Sequence, residues 1–135
     1  MIKIDNSLIS NLLIQAAANP RLRQNFDLRS SEADASQRML NALQPGTVVP
    51  IHRHPNSNES IVLLCGKAEE IFYDGEGRET ERLLMDPAAG SYGCVVPAGC
   101  WHTIVALEPT VIMEAKDGRY GEDGSESFPA KNQGL

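Results

Sequence analysis

The chain has few basic residues for its length, and they form no basic stripe. Twelve lysines and arginines stand against eighteen aspartates and glutamates in 135 residues, which gives a formal net charge of −6. A nucleic-acid-binding surface needs clustered positive charge, so we expect no nucleic-acid partner. The same acidity argues against binding to an anionic membrane surface. The length fits a single domain with an apolar core of its own.

The sequence also lacks paired cysteines. The number of cysteines is odd, and no two of them form a CxxC motif; they are Cys65, Cys94 and Cys100. This spacing does not fit a cysteine zinc site. Reduced, buried thiols in a cytoplasmic protein explain the pattern best.

Long apolar runs are absent as well. No run reaches the roughly 18 residues that a membrane-spanning helix needs. The N-terminal stretch 1–18 is fairly apolar, but polar residues between Asp5 and Gln15 interrupt it. A secretory signal contains roughly 7–15 uninterrupted apolar residues. We therefore expect a cytoplasmic protein with no membrane partner.

From residue 37 onward, short apolar runs alternate with turn residues. Breakers such as Pro45-Gly46 and Asp74-Gly75 separate the runs. Eight short strands with no helix between them predict an all-β antiparallel sandwich or barrel. The predicted strands are 38–43, 47–52, 59–65, 68–73, 80–84, 92–96, 102–107 and 110–115.

The two ends of the chain lack the strand pattern of the central part. Apolar residues at helical spacing predict a helix over 7–18, which ends before Asn19-Pro20. The polar segment 21–36 predicts a short helical turn followed by a loop. The residues after 117 are rich in glycine and serine and predict a mobile tail, with folding of its start near Tyr120 over the barrel as the alternative. We thus expect an N-terminal helix and loop over 1–36 packed on a barrel formed by 37–117, and a tail over 118–135.

Three histidines and one glutamate form the most informative pattern. His52 ends the predicted strand 47–52 and His54 lies two residues further on, so on an extended backbone their side chains share one face. Glu59 begins the next strand, and His102 begins a later strand just after a tight turn. Imidazoles and a carboxylate suit a borderline divalent ion, whereas Mg²⁺ and Ca²⁺ prefer oxygen ligands. We predict one divalent transition metal ion (Fe, Mn, Ni or Zn) on these four residues, with hydrogen bonding to a histidine as the alternative role of Glu59.

The spacing of these residues resembles the two motifs of the cupin superfamily. The first motif runs from Gly46 to Gly66 as Gly, five residues, His-x-His, four residues, Glu, six residues and Gly. The resemblance implies a double-stranded β-helix, or jelly-roll, barrel. The second motif matches at Gly90, Pro97, Gly99 and His102, with one extra residue before Pro97 and with Ala106 in place of an asparagine.

A wider run resembles a narrower group. Gln37 to Leu43, leading into Pro50 to Pro55, is similar to the WbuC-type cupin metalloproteins. That resemblance implies an association with bacterial surface-polysaccharide (O-antigen) biosynthesis. It does not name a reaction, because a fold supports many chemistries.

The function that follows is a metal-dependent enzyme acting on a small polar metabolite, such as a sugar or nucleotide-sugar. No general base stands out, so isomerase, epimerase, hydrolase and dioxygenase chemistry all remain open. The alternative is a non-catalytic module that binds or senses a small molecule through its metal. The expected partner is a small-molecule ligand, and a homodimer is left open. Candidates for lining the substrate pocket are Arg38, Asn41, Tyr73, Trp101, Lys116 and Tyr120, although Arg38 and Asn41 lie three apart and face opposite ways on a regular strand.

Overall fold

The structure, a computed structural model, describes residues 1–129 and contains two five-stranded antiparallel sheets and one helix. The first sheet has the strand order β1-β2-β9-β4-β7, and the second has the order β10-β3-β8-β5-β6. The two sheets face each other as a jelly roll and do not close into a barrel. The elements are α1 (Asn6–Ala18), β1 (Arg23–Asp27), β2 (Ser36–Leu43), β3 (His52–Arg53), β4 (Glu59–Cys65), β5 (Ala68–Tyr73), β6 (Glu79–Met85), a 3₁₀ turn (Pro87–Ala89), β7 (Gly93–Val96), β8 (Trp101–Ala106), β9 (Thr110–Asp117) and β10 (Glu126–Ser127).

Helix α1 covers the outer face of the first sheet. Asp5 caps it, because its Oδ1 accepts a hydrogen bond from the Leu8 N–H at 3.0 Å. Leu12 and Ala16 lie one turn apart and are buried against Leu40 and other residues of β2 and β9. The predicted helix is confirmed within one residue. No helix within residues 1–129 is long and apolar enough to cross a membrane.

The space between the sheets holds the main apolar core, and strand alternation determines which residues enter it. Along β4, Glu59, Ile61 and Leu63 are buried, while the residues between them face outward. The same parity buries Ile104 on β8 and Ile112 on β9. Glu59 therefore points into the interior because it lies on the same strand face as the core residues Ile61 and Leu63.

The fold class is confirmed, but several element boundaries differ from the predictions. Residues 23–27 form edge strand β1 instead of a helical turn, because their backbone pairs with β2 and Phe26 packs in the cluster beneath α1. The predicted strand 47–52 is irregular until His52. Pro50 lacks a backbone donor for a sheet ladder, which suits an irregular segment.

The C-terminal residues also depart from the sequence-based expectation. Residues 118–129 do not form an unstructured tail: β10 pairs with β3, and Phe128 is buried. The Phe128 N–H donates to the Ile51 carbonyl at 2.8 Å, and its ring lies against Trp101. A single aromatic anchor among polar residues gives little sequence signal. The last part of the predicted tail, 130–135, lies outside the described residues.

Candidate metal centre

The three histidines of the chain come together at the second sheet. His52 pairs directly with His102 across β3 and β8, and His54 follows β3. The ring centroids lie 4.3 Å apart for His52 and His102, and 5.0 Å apart for His52 and His54. One candidate ligand atom from each ring lies within 4.8 Å of the other two. These three histidines can hold a divalent metal ion.

Each of the three rings forms a hydrogen bond through its Nδ1 atom. His52 Nδ1 lies 2.7 Å from the Pro50 carbonyl oxygen, and His102 Nδ1 lies 2.9 Å from the Cys100 carbonyl oxygen. A carbonyl oxygen only accepts, so both Nδ1 atoms carry the proton. His54 Nδ1 lies 2.7 Å from Ser125 Oγ, and that hydroxyl donates onward to Asp123. In its neutral form, each ring therefore leaves Nε2 free to bind a metal.

The Nε2 atoms of His54 and His102 are buried and have no hydrogen-bond partner in the described residues. A buried nitrogen acceptor without a partner is costly. A metal ion bound to these nitrogens removes that cost, and imidazole nitrogen is a preferred ligand of divalent transition metals. The donor set therefore fits the metal that the sequence predicts.

His52 is held in the form that binds metal. Burial and the neighbouring His102 lower its pKa to about 4, against a weaker raising effect of the Pro50 carbonyl. The ring is consequently neutral at pH 7, and a neutral imidazole is the ligating form.

Glu59 lies beside the histidines, with its side chain buried. One carboxylate oxygen lies 3.3 Å from His54 Nε2, and the other lies 3.3 Å from His102 Nε2. Burial raises the pKa of Glu59, but the two histidines and Lys116 lower it more, so the net pKa lies below its usual range. Lys116 Nζ is 3.6 Å from the same carboxylate. A carboxylate oxygen beside each Nε2 suits a fourth ligand of the same ion, and it accepts a hydrogen bond only from a ring that carries a proton on that Nε2.

A cavity of about 630 Å³ opens beside the histidines. Its size falls within the range of roughly 300–1,000 Å³ that is typical of small-molecule sites. Of the six pocket candidates, Asn41, Lys116 and Tyr120 line it. All three histidines and Glu59 line it too, so the metal centre forms part of the wall.

The other three pocket candidates do not line this cavity. Arg38 has the opposite strand parity to Asn41, and its guanidinium binds Asp34 at 2.7 Å. Trp101 packs against Phe128 and beneath Arg53. Tyr73 lies at the end of β5, opposite Trp101 in the pairing with β8. These positions follow from strand alternation, which turns one neighbour outward wherever it turns the next inward.

A family model described as a domain of unknown function, DUF6016, matches residues 4–85, which is more than half of the chain. The chain belongs to this family. No curated protein matches the chain. The description of the family assigns no activity, so the fold and the site carry the functional argument.

Solved structures of cupins share the fold of this DUF6016 chain. Oxalate oxidase in complex with the substrate analogue glycolate aligns with a TM-score of 0.65 and 17% identity, over 93% of this chain and 65% of that chain. Oxalate decarboxylase from Lactobacillus farciminis, in a formate complex, aligns with a TM-score of 0.61 and 18% identity, over 78% of this chain and 31% of that chain. A Bacillus subtilis oxalate decarboxylase, described by its Mn(II) centres, aligns with a TM-score of 0.59 and 19% identity. The alignment covers 78% of this chain and 27% of that chain. The chain thus spans about a third of the decarboxylases, and the likeness shows the cupin fold alone.

Two further acidic residues of the centre were missed by the sequence analysis. Glu70 is fully buried, and neither of its carboxyl oxygens has a hydrogen-bond partner among the described residues. Burial, followed by Glu59 and Glu114, raises the pKa of Glu70 to about 9. Burial and Glu59 likewise raise the pKa of Glu114 to about 8. The alternation of side chains along strands could have indicated both, because Glu70 shares the strand face of Ala68 on β5, and Glu114 shares the face of Ile112 on β9.

The C-terminal segment 118–129 completes the centre from outside the two motifs. Asp123 is buried and accepts hydrogen bonds from Ser125 Oγ at 2.8 Å and from Gln37 Nε2 at 2.9 Å. Ser125 Oγ in turn accepts from His54 Nδ1. This chain of hydrogen bonds, from His54 through Ser125 to Asp123, fixes the tautomer of a candidate ligand.

Ser125→Ala is expected to weaken metal affinity by about 10- to 100-fold, the usual effect of losing a partner behind a ligating histidine. The ring of His54 then lacks the acceptor that holds its Nδ1 proton. Equilibrium competition against a chelator measures the affinity. Ser127→Ala is the control, because Ser127 is an exposed residue of the same segment. Equal affinity in both variants would show that the hydrogen bond does not position His54.

Proposed function

We propose that the chain is a metal-dependent cupin enzyme that acts on a small polar metabolite, such as a sugar or nucleotide-sugar. The observation that carries this proposal is the group of three imidazoles, each held by a hydrogen bond to its Nδ1, in the wall of a large cavity. A bound divalent ion would supply Lewis-acid or oxygen-activating chemistry there.

The polar lining of the cavity supports a hydroxyl-rich substrate. A carboxamide both donates and accepts hydrogen bonds, so it can pair with a hydroxyl group that acts as acceptor or as donor. Gln37 Oε1 is buried and lacks a partner in the described residues. The carboxamide residues that line the cavity are Asn19, Gln24, Asn25, Gln37 and Asn41.

Glu70 and Glu114 support an enzyme over a purely binding module. Their raised pKa values keep both carboxyl groups largely protonated near pH 7. Protonated carboxyls beside a cavity are common in sites that transfer protons, since catalysis needs groups whose pKa lies near the working pH. The resemblance to WbuC-type cupins extends the proposal to surface-polysaccharide biosynthesis.

An open coordination shell distinguishes this proposal from a structural metal. We expect the protein, loaded with Fe(II) or Ni(II), to change its absorption spectrum when small hydroxy acids or sugar acids are added. Three histidines and Glu59 give at most four ligands if each contributes one atom, whereas these ions often take five or six. A four-coordinate ion with a spectrum insensitive to every such ligand would leave only a structural role.

A further inference from the structure

Two arginines at the rim of the cavity have no carboxylate partner within residues 1–129. Arg21 and Arg23 both line the cavity, and neither forms an ion pair with any carboxylate within residues 1–129. The other six arginines of the chain each have a carboxylate partner: Arg29, Arg38, Arg53, Arg78, Arg82 and Arg119. In a chain with a net charge of −6, the two arginines without a carboxylate partner among the described residues are those of the cavity.

The two guanidinium groups also act on each other. Burial lowers the pKa of Arg23, and the positive charge of Arg21 lowers it further, with no carboxylate effect to oppose them. Two like charges held near each other are unfavourable, and an anion bound between them removes that repulsion.

The backbone holds these two residues firmly. Leu22, between them, has a φ of 56°, the only left-handed non-glycine residue in the described part of the chain. The Leu22 N–H donates to the Asn19 carbonyl, and the Gln44 N–H donates to the Leu22 carbonyl, both at 2.9 Å. Thr47 Oγ1 donates to the Arg21 carbonyl at 2.7 Å. A strained residue kept in place by such contacts is typical of a functional segment.

Arg23 also lies within reach of the metal centre. Its Nη1 donates to the Val48 carbonyl at 2.9 Å, which leaves its other N–H donors available. Val48 precedes His52 by four residues, so their Cα atoms are at most about 14 Å apart. One ligand of the size of a substituted sugar can therefore contact both places.

We propose that Arg21 and Arg23 bind an anionic group, a phosphate or a carboxylate, of the same small molecule that meets the metal. The anion site stands on the arginines alone, whereas the contact with the metal rests on the proposed function. The substrate class is then an acidic or phosphorylated sugar derivative, larger than a two-carbon acid.

The test uses inorganic phosphate and acetate as probes, with binding followed by NMR of the arginine Nε–H signals. We expect saturable binding of at least one probe that shifts Arg21 and Arg23. The Arg21→Gln/Arg23→Gln variant is expected to lose at least about tenfold in affinity, as for the loss of charge-assisted hydrogen bonds. Arg78→Gln is the control, because Arg78 pairs with Asp74 outside the cavity. Tighter phosphate binding identifies a phosphorylated ligand, and tighter acetate binding identifies a carboxylate.

Two further measurements keep the outcome interpretable. Arg21→Gln alone preserves the Arg23 contact with Val48, and we expect it to weaken binding of the same probe even if the double variant folds poorly. Chelator-treated wild type is expected to bind the probe like the untreated protein, so binding of the probe to a metal ion does not imitate the anion site. Absence of saturable binding to both probes, or equal binding in the Arg21→Gln variant and the wild type, would overturn the proposal.

Discussion

Replacing His52 and His54 together by alanine is expected to reduce bound divalent metal from about one ion per chain to none. Two of the three imidazoles that converge on the centre are then missing. The remaining His102 and Glu59 provide too few ligands for tight binding of Fe, Mn, Ni or Zn. Elemental analysis of the purified protein, before and after loading with each metal, measures the change.

Arg53→Ala is the matched control for this experiment, because Arg53 lies between the two histidines in the sequence. Its guanidinium lies over the Trp101 ring, 4.4 Å from the centroid, and pairs with Glu126 at 3.0 Å. The alternation of strand β3 directs it away from the metal centre, so the variant is expected to keep its ion. A wild type that refuses all four metals, or a double histidine variant that keeps its ion, would contradict the site.

Glu70→Gln is expected to stabilise the metal-free protein by about 3 kcal/mol at pH 7. The pKa of Glu70 is raised from 4.5 to about 9 in the folded state. Folding therefore takes up a proton between these values, and the stability present below pH 4.5 is lost as pH rises towards 9. The loss is about 1.36 kcal/mol per pH unit, over roughly 2.5 units up to pH 7. The neutral amide has no such proton to lose.

Urea unfolding of the chelator-treated protein at pH 5, 7 and 8.5 measures this difference. The gain from Glu70→Gln is expected to grow with pH and to be small at pH 5. Glu69→Gln is the control, since Glu69 lies next to Glu70 on β5 but faces Arg82, at 3.4 Å. Parallel pH profiles for the wild type and Glu70→Gln would show that the carboxyl of Glu70 is ionised in the folded protein.

Because side chains alternate between the two faces of a strand, most of the residues between the two sheets could be predicted from the sequence. Strands β4 and β5 have the predicted bounds, and the His-x-His pattern and the Pro-x-Gly turn anticipate the histidine group. These features are local, because a period of two and a turn residue suffice to define them. Arg38 and Asn41 also face opposite sides of the strand, as expected: only Asn41 lines the cavity.

The parts that the sequence did not predict depend on contacts between distant residues. Strand β1 is mostly polar, because it is an edge strand with only Phe26 packed beneath α1. The hydrogen bond between His54 and Ser125 joins residues 71 positions apart. That Arg21 and Arg23 have no carboxylate partner in residues 1–129 becomes visible only from the positions of the carboxylates in that part of the chain. No local pattern carries such information.

The position of Asp123 and Ser125 late in the chain has a consequence for biosynthesis. During translation, His52, His54, Glu59 and His102 leave the ribosome before the two residues that hold the ring of His54 in place. Contacts of such long sequence separation form late in folding, because closing the loop costs entropy. We expect the nascent chain to capture metal weakly until the last strand has paired with β3. The order of synthesis thereby delays metal loading until the cavity has its full wall.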